Sequence, residues 1–361
     1  KEGRLIRRED LESVDALIIR SVTPVNSDLL NDTSVSFVGT TTIGTDHLDT
    51  EWLDQNGIKW ASAPGCNADS AAQYTLALIW LACERRGRKL ADQTAGIIGR
   101  GNVGSRVMHL LNLLGVETIA NDPPLADAGQ EGLVSLDEAL HQDVVCLHVP
   151  LERLGPYPTV HLINDKTLAA TRGGALLVNS ARGAVIDGEA LKRHINDRNL
   201  CAVLDVWPGE PAIDAELVSA CCVATPHVAG YSNDGKFNGA NQVYRAFCAW
   251  FGEPEHPMPP LPGGDRQLKL DQDKEVISQA LQAACFVARH DQAMRRLAEL
   301  PCADIPVEFD RLRREYPTRR DFQGWAIRGA NSSQANILRK LGFCVGNTCL
   351  LYTSDAADDL L

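Results

Sequence analysis

Residues 93–122, QTAGIIGRGNVGSRVMHLLNLLGVETIAND, contain three glycines in the pattern GxGxxG between an apolar segment and an amphipathic one. This spacing predicts a strand, a tight turn and a helix, followed by a second strand that ends at Asp122. We expect Gly99 to form the turn, Gly101 to let a phosphate group approach the backbone, and Gly104 to let the helix pack closely on the strand. The helix N-terminus would then offer free N–H groups to a pyrophosphate.

The acidic residue that follows the second strand indicates which dinucleotide binds. Asp122 lies 18 positions after the last glycine of the motif (122 minus 104). A carboxylate at this place accepts hydrogen bonds from the two hydroxyl groups of the adenine ribose. No Lys or Arg lies between Glu117 and Glu152 to bind a 2′-phosphate. The stretch therefore predicts NAD rather than NADP as the cofactor.

The segments around this motif predict an α/β protein. Continuous apolar runs such as DALIIRS (15–21) and VSFVGT (35–40) alternate with helix-like segments, which is typical of parallel sheets covered on both faces. We predict two doubly wound, Rossmann- or flavodoxin-like domains. The first, a substrate domain, comprises residues 1–70 and 232–255, and we expect it to lack its first strand and helix. The second, the NAD-binding domain, comprises residues 71–231.

The helix boundaries and the rest of the chain can be predicted in less detail. Asp46 is the expected N-cap of a helix that ends before Gly57, and a long helix is expected at about 68–86. Residues 252–264 hold five prolines and three glycines, which predicts a linker. Beyond it we predict a small α+β domain at 265–348 that begins with a helical stretch at about 271–300. Residues 349–361 resemble a translated sequencing adapter, so we expect a non-native tail.

Composition limits the classes of partner. The net charge is −12, which argues against binding to nucleic acid or to an anionic membrane surface. The longest apolar stretch, YTLALIWLAC (74–83), is too short to span a membrane. The 11 cysteines form no CxxC pair and lie mostly in apolar surroundings. They predict reduced thiols in a cytoplasmic protein and no metal site.

Three polar residues follow successive strands of the second predicted sheet. Arg182 follows ALLVNSA, Glu210 follows AVLDVW in the turn PGEP, and His227 follows CVATP. Taken singly, Arg182 could be a surface arginine, Glu210 a solvated carboxylate in a turn, and His227 a capping histidine. Because the carboxyl ends of parallel strands meet at one sheet edge, we expect all three beside the glycine loop.

This constellation predicts a reaction. A carboxylate can orient a histidine that exchanges a proton with an alcohol, and an arginine can bind a neighbouring substrate carboxylate in a bidentate manner. With NAD as the hydride acceptor, these groups suffice for oxidation of a 2-hydroxy acid.

Four motifs carry a family resemblance: GIIGRGNVG, VNSARGAVID, LDVWPGEP and TPHVAG. Over nearly all of residues 5–255 the chain resembles the D-isomer-specific 2-hydroxyacid dehydrogenases. The resemblance implies that Arg182, Glu210 and His227 form the catalytic set, with His227 as proton donor and acceptor.

The resemblance also implies contacts with the cofactor and the substrate. The implied NAD-binding residues are Gly99, Gly101, Asn102, Val103, Gly104, Asp122, Val149, Asp205 and Gly230. The implied substrate contacts are Ser21, Thr42 and Tyr231. Val149 stands where we expect a threonine, so a backbone contact would survive there and a hydroxyl contact would not.

Shorter stretches narrow the implied substrate within this family. RSVTPVN, GTTTIGTDHLD and GPYPTVHLI resemble one member of this family. That resemblance implies oxidation of a phosphorylated hydroxy acid, 4-phospho-D-erythronate, in vitamin B6 synthesis. It also implies a homodimer formed through the third domain, which residues 265–348 would carry here. Two alternatives remain open. One is another phosphorylated hydroxy acid such as 3-phosphoglycerate. The other is an NAD-sensing binding protein similar to the related transcriptional corepressors.

Overall fold

The computed structural model describes residues 3–259, 261 and 266–346. Within these residues the strands form three sheets in which all neighbouring strands pair in parallel. The strands are β1 (Ala16–Ile19), β2 (Phe37–Thr40), β3 (Lys59–Ala61), β4 (Thr94–Ile98), β5 (Glu117–Asn121), β6 (Val144–Leu147), β7 (Leu176–Asn179), β8 (Cys201–Leu204), β9 (Val223–Ala224), β10 (Arg266–Lys269), β11 (Trp325–Arg328) and β12 (Cys344–Val345).

Helices alternate with these strands along the chain. They are α1 (Ser27–Leu30), α2 (Thr50–Gln55), α3 (Ala68–Arg85), α4 (Asn102–Leu113), α5 (Pro123–Asp127), α6 (Leu136–Leu140), α7 (Asp165–Ala169), α8 (Gly188–Arg198), α9 (Ala215–Ala220), α10 (Asn233–Phe251), α11 (Val276–Cys285), α12 (Val287–Ala298), α13 (Ile305–Arg314) and α14 (Ser332–Lys340). None of the helices in the described part of the chain has the length and apolar character needed to cross a membrane.

The chain divides into two compact units. The first comprises residues 1–70 and 231–263, and the second comprises residues 71–230 and 264–361. The first unit contains the sheet β1-β2-β3 and helix α10, and the second contains the other two sheets. The region predicted as a third domain thus belongs to the same compact unit as the nucleotide-binding region. The predicted non-native tail lies outside the described residues.

The six-stranded sheet has the order β5-β4-β6-β7-β8-β9. The chain enters at β4, adds β5 on one side and then continues with β6 on the other. This reversal opens a crevice at the carboxyl ends of β4 and β6, where ligands bind in doubly wound sheets. All four residues of β6, β7 and β8 are buried, because helices cover both faces of the sheet. The predicted α/β fold with a Rossmann-like sheet is confirmed.

Several details differ from the sequence prediction. Asp46 was the wrong N-cap for α2, because Leu48 forms a parallel bridge with Val25 and so keeps the chain extended there. Asp49 caps the helix instead by accepting a hydrogen bond from the Trp52 N–H. The predicted helical stretch at 271–300 is two helices, since Phe286 has φ = 55° between them.

The small sheet of the C-terminal region has the order β10-β11-β12. Strand β10 was not predicted. Its parallel pairing with β11 is a detail that the α+β prediction did not contain.

Candidate active site

The glycine loop after β4 is shaped by close packing on two sides. Gly99 has φ = 89°, and a Cβ atom there would lie 2.8 Å from the carbonyl group of His148. A Cβ atom on Gly104 would overlap the carbonyl oxygen of Gly99, so α4 can approach the strand only with glycine at this position. A Cβ atom on Gly101, by contrast, would meet nothing within 4 Å. The loop therefore presents open backbone at the start of α4, which fits the pyrophosphate of a dinucleotide.

Asp122 connects the end of β5 to this loop. One carboxylate oxygen accepts a hydrogen bond from the backbone N–H of Arg100 at 2.7 Å, and the other accepts one from the N–H of Leu125 at 3.2 Å. A carboxylate oxygen can accept more than one hydrogen bond. The geometry therefore leaves capacity for the ribose hydroxyl groups that the sequence predicts at Asp122.

The other residues predicted to contact NAD near this loop lie at the start of α4 and after β6. Asn102 and Val103 begin α4. The side chain of Val149, after β6, would lie 3.0 Å from a Cβ atom on Gly99 and packs against the apolar core of the domain. The fit of these residues to NAD thus rests on the open backbone at Gly101 and on Asp122, and a contact through Val149 stays a prediction.

The histidine and the glutamate predicted from the sequence form a pair. His227 Nδ1 lies 2.7 Å from Glu210 Oε2, and the other oxygen of Glu210 accepts a hydrogen bond from the Trp207 N–H at 2.7 Å. Their side chains are 31% and 19% exposed. Burial by itself would raise the pKa of Glu210, but His227 and the Trp207 N–H more than offset it, so that the pKa lies below its usual value.

This pairing determines which histidine nitrogen can react. Because an ionised carboxylate only accepts hydrogen bonds, Nδ1 of His227 donates to Glu210. In the neutral ring, Nε2 is then left as the proton acceptor.

Asp205 holds the turn that carries the histidine. Its fully buried carboxylate accepts hydrogen bonds from the Thr225 hydroxyl at 2.6 Å, from the Val228 N–H at 3.0 Å and from the Ala229 N–H at 2.9 Å. The backbone oxygen of Asp205 accepts a further bond from the His227 N–H at 2.6 Å. His227 has φ = 56°, a left-handed conformation that a residue with a side chain adopts only when its surroundings enforce it. The implied contact of Asp205 with NAD stays a prediction.

Arg182 lies in the loop after β7, beside the loop that carries Glu210. The Asn179 side chain donates to the carbonyl oxygen of Arg182 at 2.9 Å, which fixes the start of this loop. A Cβ atom on Gly183 would overlap the carbonyl oxygen of Trp207, so the two loops are in close contact. Since β7, β8 and β9 are neighbours in the sheet, the three predicted catalytic residues follow three adjacent strands.

All three predicted substrate contacts, Ser21, Thr42 and Tyr231, belong to the first unit. Ser21 follows β1 and is exposed, and Thr42 follows β2 and is half-buried. The Thr42 hydroxyl lies 2.8 Å from the Thr40 hydroxyl, which in turn lies 3.0 Å from His47 Nε2. Burial lowers the pKa of His47, and the charge of Asp46 opposes this shift. Thr40 and His47 both lie in the stretch GTTTIGTDHLD, but sequence reasoning did not single out either side chain.

The C-terminal region supports the strand and turn that lead to His227. Arg319, only 2% exposed, donates to the carbonyl oxygen of Ala229 at 2.7 Å. Asp291 accepts a hydrogen bond from the Ala224 N–H at 2.8 Å and forms an ion pair with Arg85 at 2.7 Å. These contacts join residues far apart in the chain, so no local pattern could have predicted them.

Comparison with known proteins identifies the family. Residues 67–229 match the family described as D-isomer specific 2-hydroxyacid dehydrogenase, NAD binding domain, and residues 258–342 match a domain of unknown function, DUF3410. The chain is 41% identical over 349 residues to an erythronate-4-phosphate dehydrogenase of Escherichia coli O127:H6, covering 94% of this chain and 91% of that protein. It is 43% identical over 350 residues to the protein of the same name from Stutzerimonas stutzeri, with 94% and 92% coverage. The chain belongs to the erythronate-4-phosphate dehydrogenase family.

Solved structures show the same fold. A D-lactate dehydrogenase from Aquifex aeolicus, complexed with NAD and lactic acid, has a TM-score of 0.57 and 25% identity, and the match covers 68% of this chain and 86% of that chain. An NAD⁺-bound 3-phosphoglycerate dehydrogenase from Entamoeba histolytica has a TM-score of 0.60 and 24% identity, with 68% and 82% coverage. The predictions of the 2-hydroxyacid dehydrogenase family and of NAD as cofactor are therefore confirmed. The protein is an NAD-dependent dehydrogenase whose substrate is a small hydroxy acid.

Proposed function

We propose that the protein oxidises 4-phospho-D-erythronate to 2-oxo-3-hydroxy-4-phosphobutanoate in the biosynthesis of pyridoxal 5′-phosphate. The observation that carries this proposal is the His227–Glu210 pair at 2.7 Å, which follows β8 and β9 of the sheet whose strand β4 leads into the glycine loop. The choice of substrate is supported by the relatives named erythronate-4-phosphate dehydrogenase, which are 41% and 43% identical over 94% of the chain.

The proton of the substrate C2 hydroxyl group passes to His227 Nε2, because Nδ1 is already bonded to Glu210. Bound NAD supplies the acceptor for the hydride that leaves C2. As the C2–O bond becomes a carbonyl, the ionised Glu210 stabilises the positive charge on His227. The Trp207 N–H keeps the glutamate oriented during this transfer.

Arg182 is the proposed partner of the substrate carboxylate. A guanidinium group binds a carboxylate through two parallel hydrogen bonds, and so fixes the orientation of the adjacent C2. The backbone amides of residues 39–44 are further proposed partners of this carboxylate, and Ser21, Thr42 and Tyr231 remain proposed substrate contacts.

The test measures NADH formation with 4-phospho-D-erythronate and with 3-phosphoglycerate. We expect turnover with the first and little with the second. Turnover with 3-phosphoglycerate alone would refute the proposed substrate. His227→Gln should lower kcat by about 10³-fold or more, on the scale of a lost general base together with its positioning. NAD affinity, measured by calorimetry, should stay near that of the wild type.

The exposed His256 provides the matched control for this variant. His256→Gln should leave kcat unchanged. If His227→Gln also retained full activity, the role of the histidine would be wrong.

Two further properties belong to this proposal. We assign formation of a homodimer to residues 265–348, where the exposed side chain of Val307 on α13 leaves an apolar position uncovered. Light scattering coupled to size exclusion tests this, since a monomer at micromolar concentration would contradict it. We also propose a cytoplasmic location, which suits an NAD-dependent biosynthetic enzyme whose described cysteines are free thiols.

A further inference from the structure

Two cationic side chains of the first unit meet at one aromatic ring. The guanidinium carbon of Arg20 lies 5.8 Å from the centre of the Tyr231 ring, and Lys236 Nζ lies 5.8 Å from the same centre. Arg20 follows β1, whereas Lys236 lies near the start of α10. Both side chains are exposed, and among the described residues neither forms an ion pair with a carboxylate.

The proximity of these cations is unfavourable without an anion. Lys236 keeps exposed surface but is partly desolvated, which lowers its pKa, and the positive charge of Arg20 lowers it further. Two like charges near one ring repel each other, which opposes the attraction of the ring for each of them. A dianion bound beside the two side chains would offset this repulsion and would raise the pKa of Lys236 back towards its ordinary value.

The neighbouring backbone adds to the positive potential at this position, and its contacts hold the first turn of α10 in place. Helix α10 has 19 residues, and its N-terminus carries a partial positive charge. Ser232 caps the helix by accepting a hydrogen bond from the Gly235 N–H at 2.8 Å. A Cβ atom on Gly235 would lie 2.7 Å from Cβ of Asn67, so the first turn is held tightly against the neighbouring segment. Asp234 lies in the same turn but is buried.

We propose that Arg20 and Lys236 bind the terminal phosphate group of the substrate beside Tyr231. This assignment rests on the proposed function, which supplies a substrate with a phosphate monoester. Such a group carries about −1.5 to −2 charges at neutral pH and three acceptor oxygens. It therefore matches two cations, whereas the single charge of a carboxylate would match one. Inorganic phosphate has the same chemistry and serves as a probe of the subsite.

The kinetic test compares two substrates that differ only in the phosphate, 4-phospho-D-erythronate and D-erythronate. Lys236→Gln should lower kcat/KM for the phosphorylated substrate by about 10- to 100-fold, the usual effect of one lost charge-assisted hydrogen bond. The value for D-erythronate should be unchanged. Lys236→Arg should recover most of the loss, because it restores the charge.

Lys59 supplies the matched control, since it is an exposed lysine of the same unit on β3. Lys59→Gln makes the same charge change and should leave both values at the wild-type level. An equal loss on the two substrates in the double variant Arg20→Gln/Lys236→Gln would overturn the assignment.

A binding test keeps the subsite separate from the proposed function. Inorganic phosphate should raise the Tm of the wild-type protein above that in chloride of the same ionic strength, because it binds the folded state. The double variant should lose this increase. Equal increases in both proteins would refute the subsite, even if the enzyme turns over 4-phospho-D-erythronate. If neither substrate is turned over but the phosphate effect depends on both cations, the subsite stands and the proposed function fails.

Discussion

Replacing Asp205 by asparagine tests whether the buried carboxylate holds the turn that carries His227. The side-chain shape is nearly unchanged, but one of the two acceptor oxygens becomes an NH₂ group. The remaining oxygen can still accept from Thr225 and Val228. The new NH₂ group then faces the Ala229 N–H, which lies 2.9 Å from the carboxylate oxygen in the wild type. The variant therefore places two hydrogen-bond donors opposite each other, where the wild type pairs a donor with an acceptor.

The expected loss follows from these three contacts. A hydrogen bond to a charged acceptor contributes about 1.5–3 kcal/mol, and a buried N–H left without a partner costs about 1–3 kcal/mol. The neutral amide is easier to bury than a carboxylate, which offsets part of the loss. We therefore expect the turn to be destabilised by about 2–4 kcal/mol. If about 2 kcal/mol of this destabilisation is lost from the positioning of His227 in the transition state, kcat falls about 30-fold.

Amide hydrogen exchange measures this effect where it occurs. In Asp205→Asn the amide hydrogens of Val228 and Ala229 should exchange about 30- to 1,000-fold faster, because each 1.4 kcal/mol of local opening energy corresponds to a factor of ten. Thr225→Val is the comparison variant, since it removes one hydrogen bond to the carboxylate, at a cost of about 1.5–3 kcal/mol, but keeps the contacts to the N–H groups of Val228 and Ala229. Wild-type exchange rates together with wild-type kcat in Asp205→Asn would show that the carboxylate does not position the turn.

Two further predictions concern the glycine loop and the response to acid. Gly101→Ala should keep wild-type stability in urea but bind NAD more weakly in calorimetry, because its methyl group enters the open space at the loop. Gly104→Ala should be less stable than the wild type, because its methyl group would overlap Gly99. Unchanged NAD affinity in Gly101→Ala would contradict the fit to a pyrophosphate. Burial lowers the pKa of His148 to about 4 and that of His290 to about 3, below the value of about 6.5 in the unfolded chain. The unfolded state therefore binds more protons in this range, so the free energy of unfolding should fall as the pH decreases from about 6.5 towards 4. Urea titrations at several pH values should show this decline, and His148→Asn should make it shallower; an identical slope in the variant would refute the assignment.

The features that could be predicted from the sequence depend on neighbours along the chain. The glycine motif spans six positions, and the close contact that requires Gly104, with the carbonyl group of Gly99, lies within that span. The residues after β7, β8 and β9 were predictable for a similar reason, since parallel strands bring their carboxyl ends to one edge whatever the rest of the fold does. The pairing of His227 with Glu210 followed from this arrangement.

The features that could not be predicted depend on tertiary contacts. Phe286 has a positive φ that separates α11 from α12. A phenylalanine does not indicate such a helix end, whereas a glycine or an asparagine at that position would. Asp46 and Asp49 are both acceptable N-caps, and the bridge between Leu48 and Val25 decides between them. Arg319 and Ala229 are 90 positions apart, so their hydrogen bond has no trace in any local pattern.

The contact between Arg319 and Ala229 has a consequence for how this chain can change over generations. A region that only joined two copies of the protein could be lost or replaced while each copy kept its chemistry. Here the same region supplies a buried donor to the turn that carries His227, and through Asp291 an acceptor to the strand before it. Changes at Arg319 or Asp291 are therefore constrained by the turn and the strand that these two residues support.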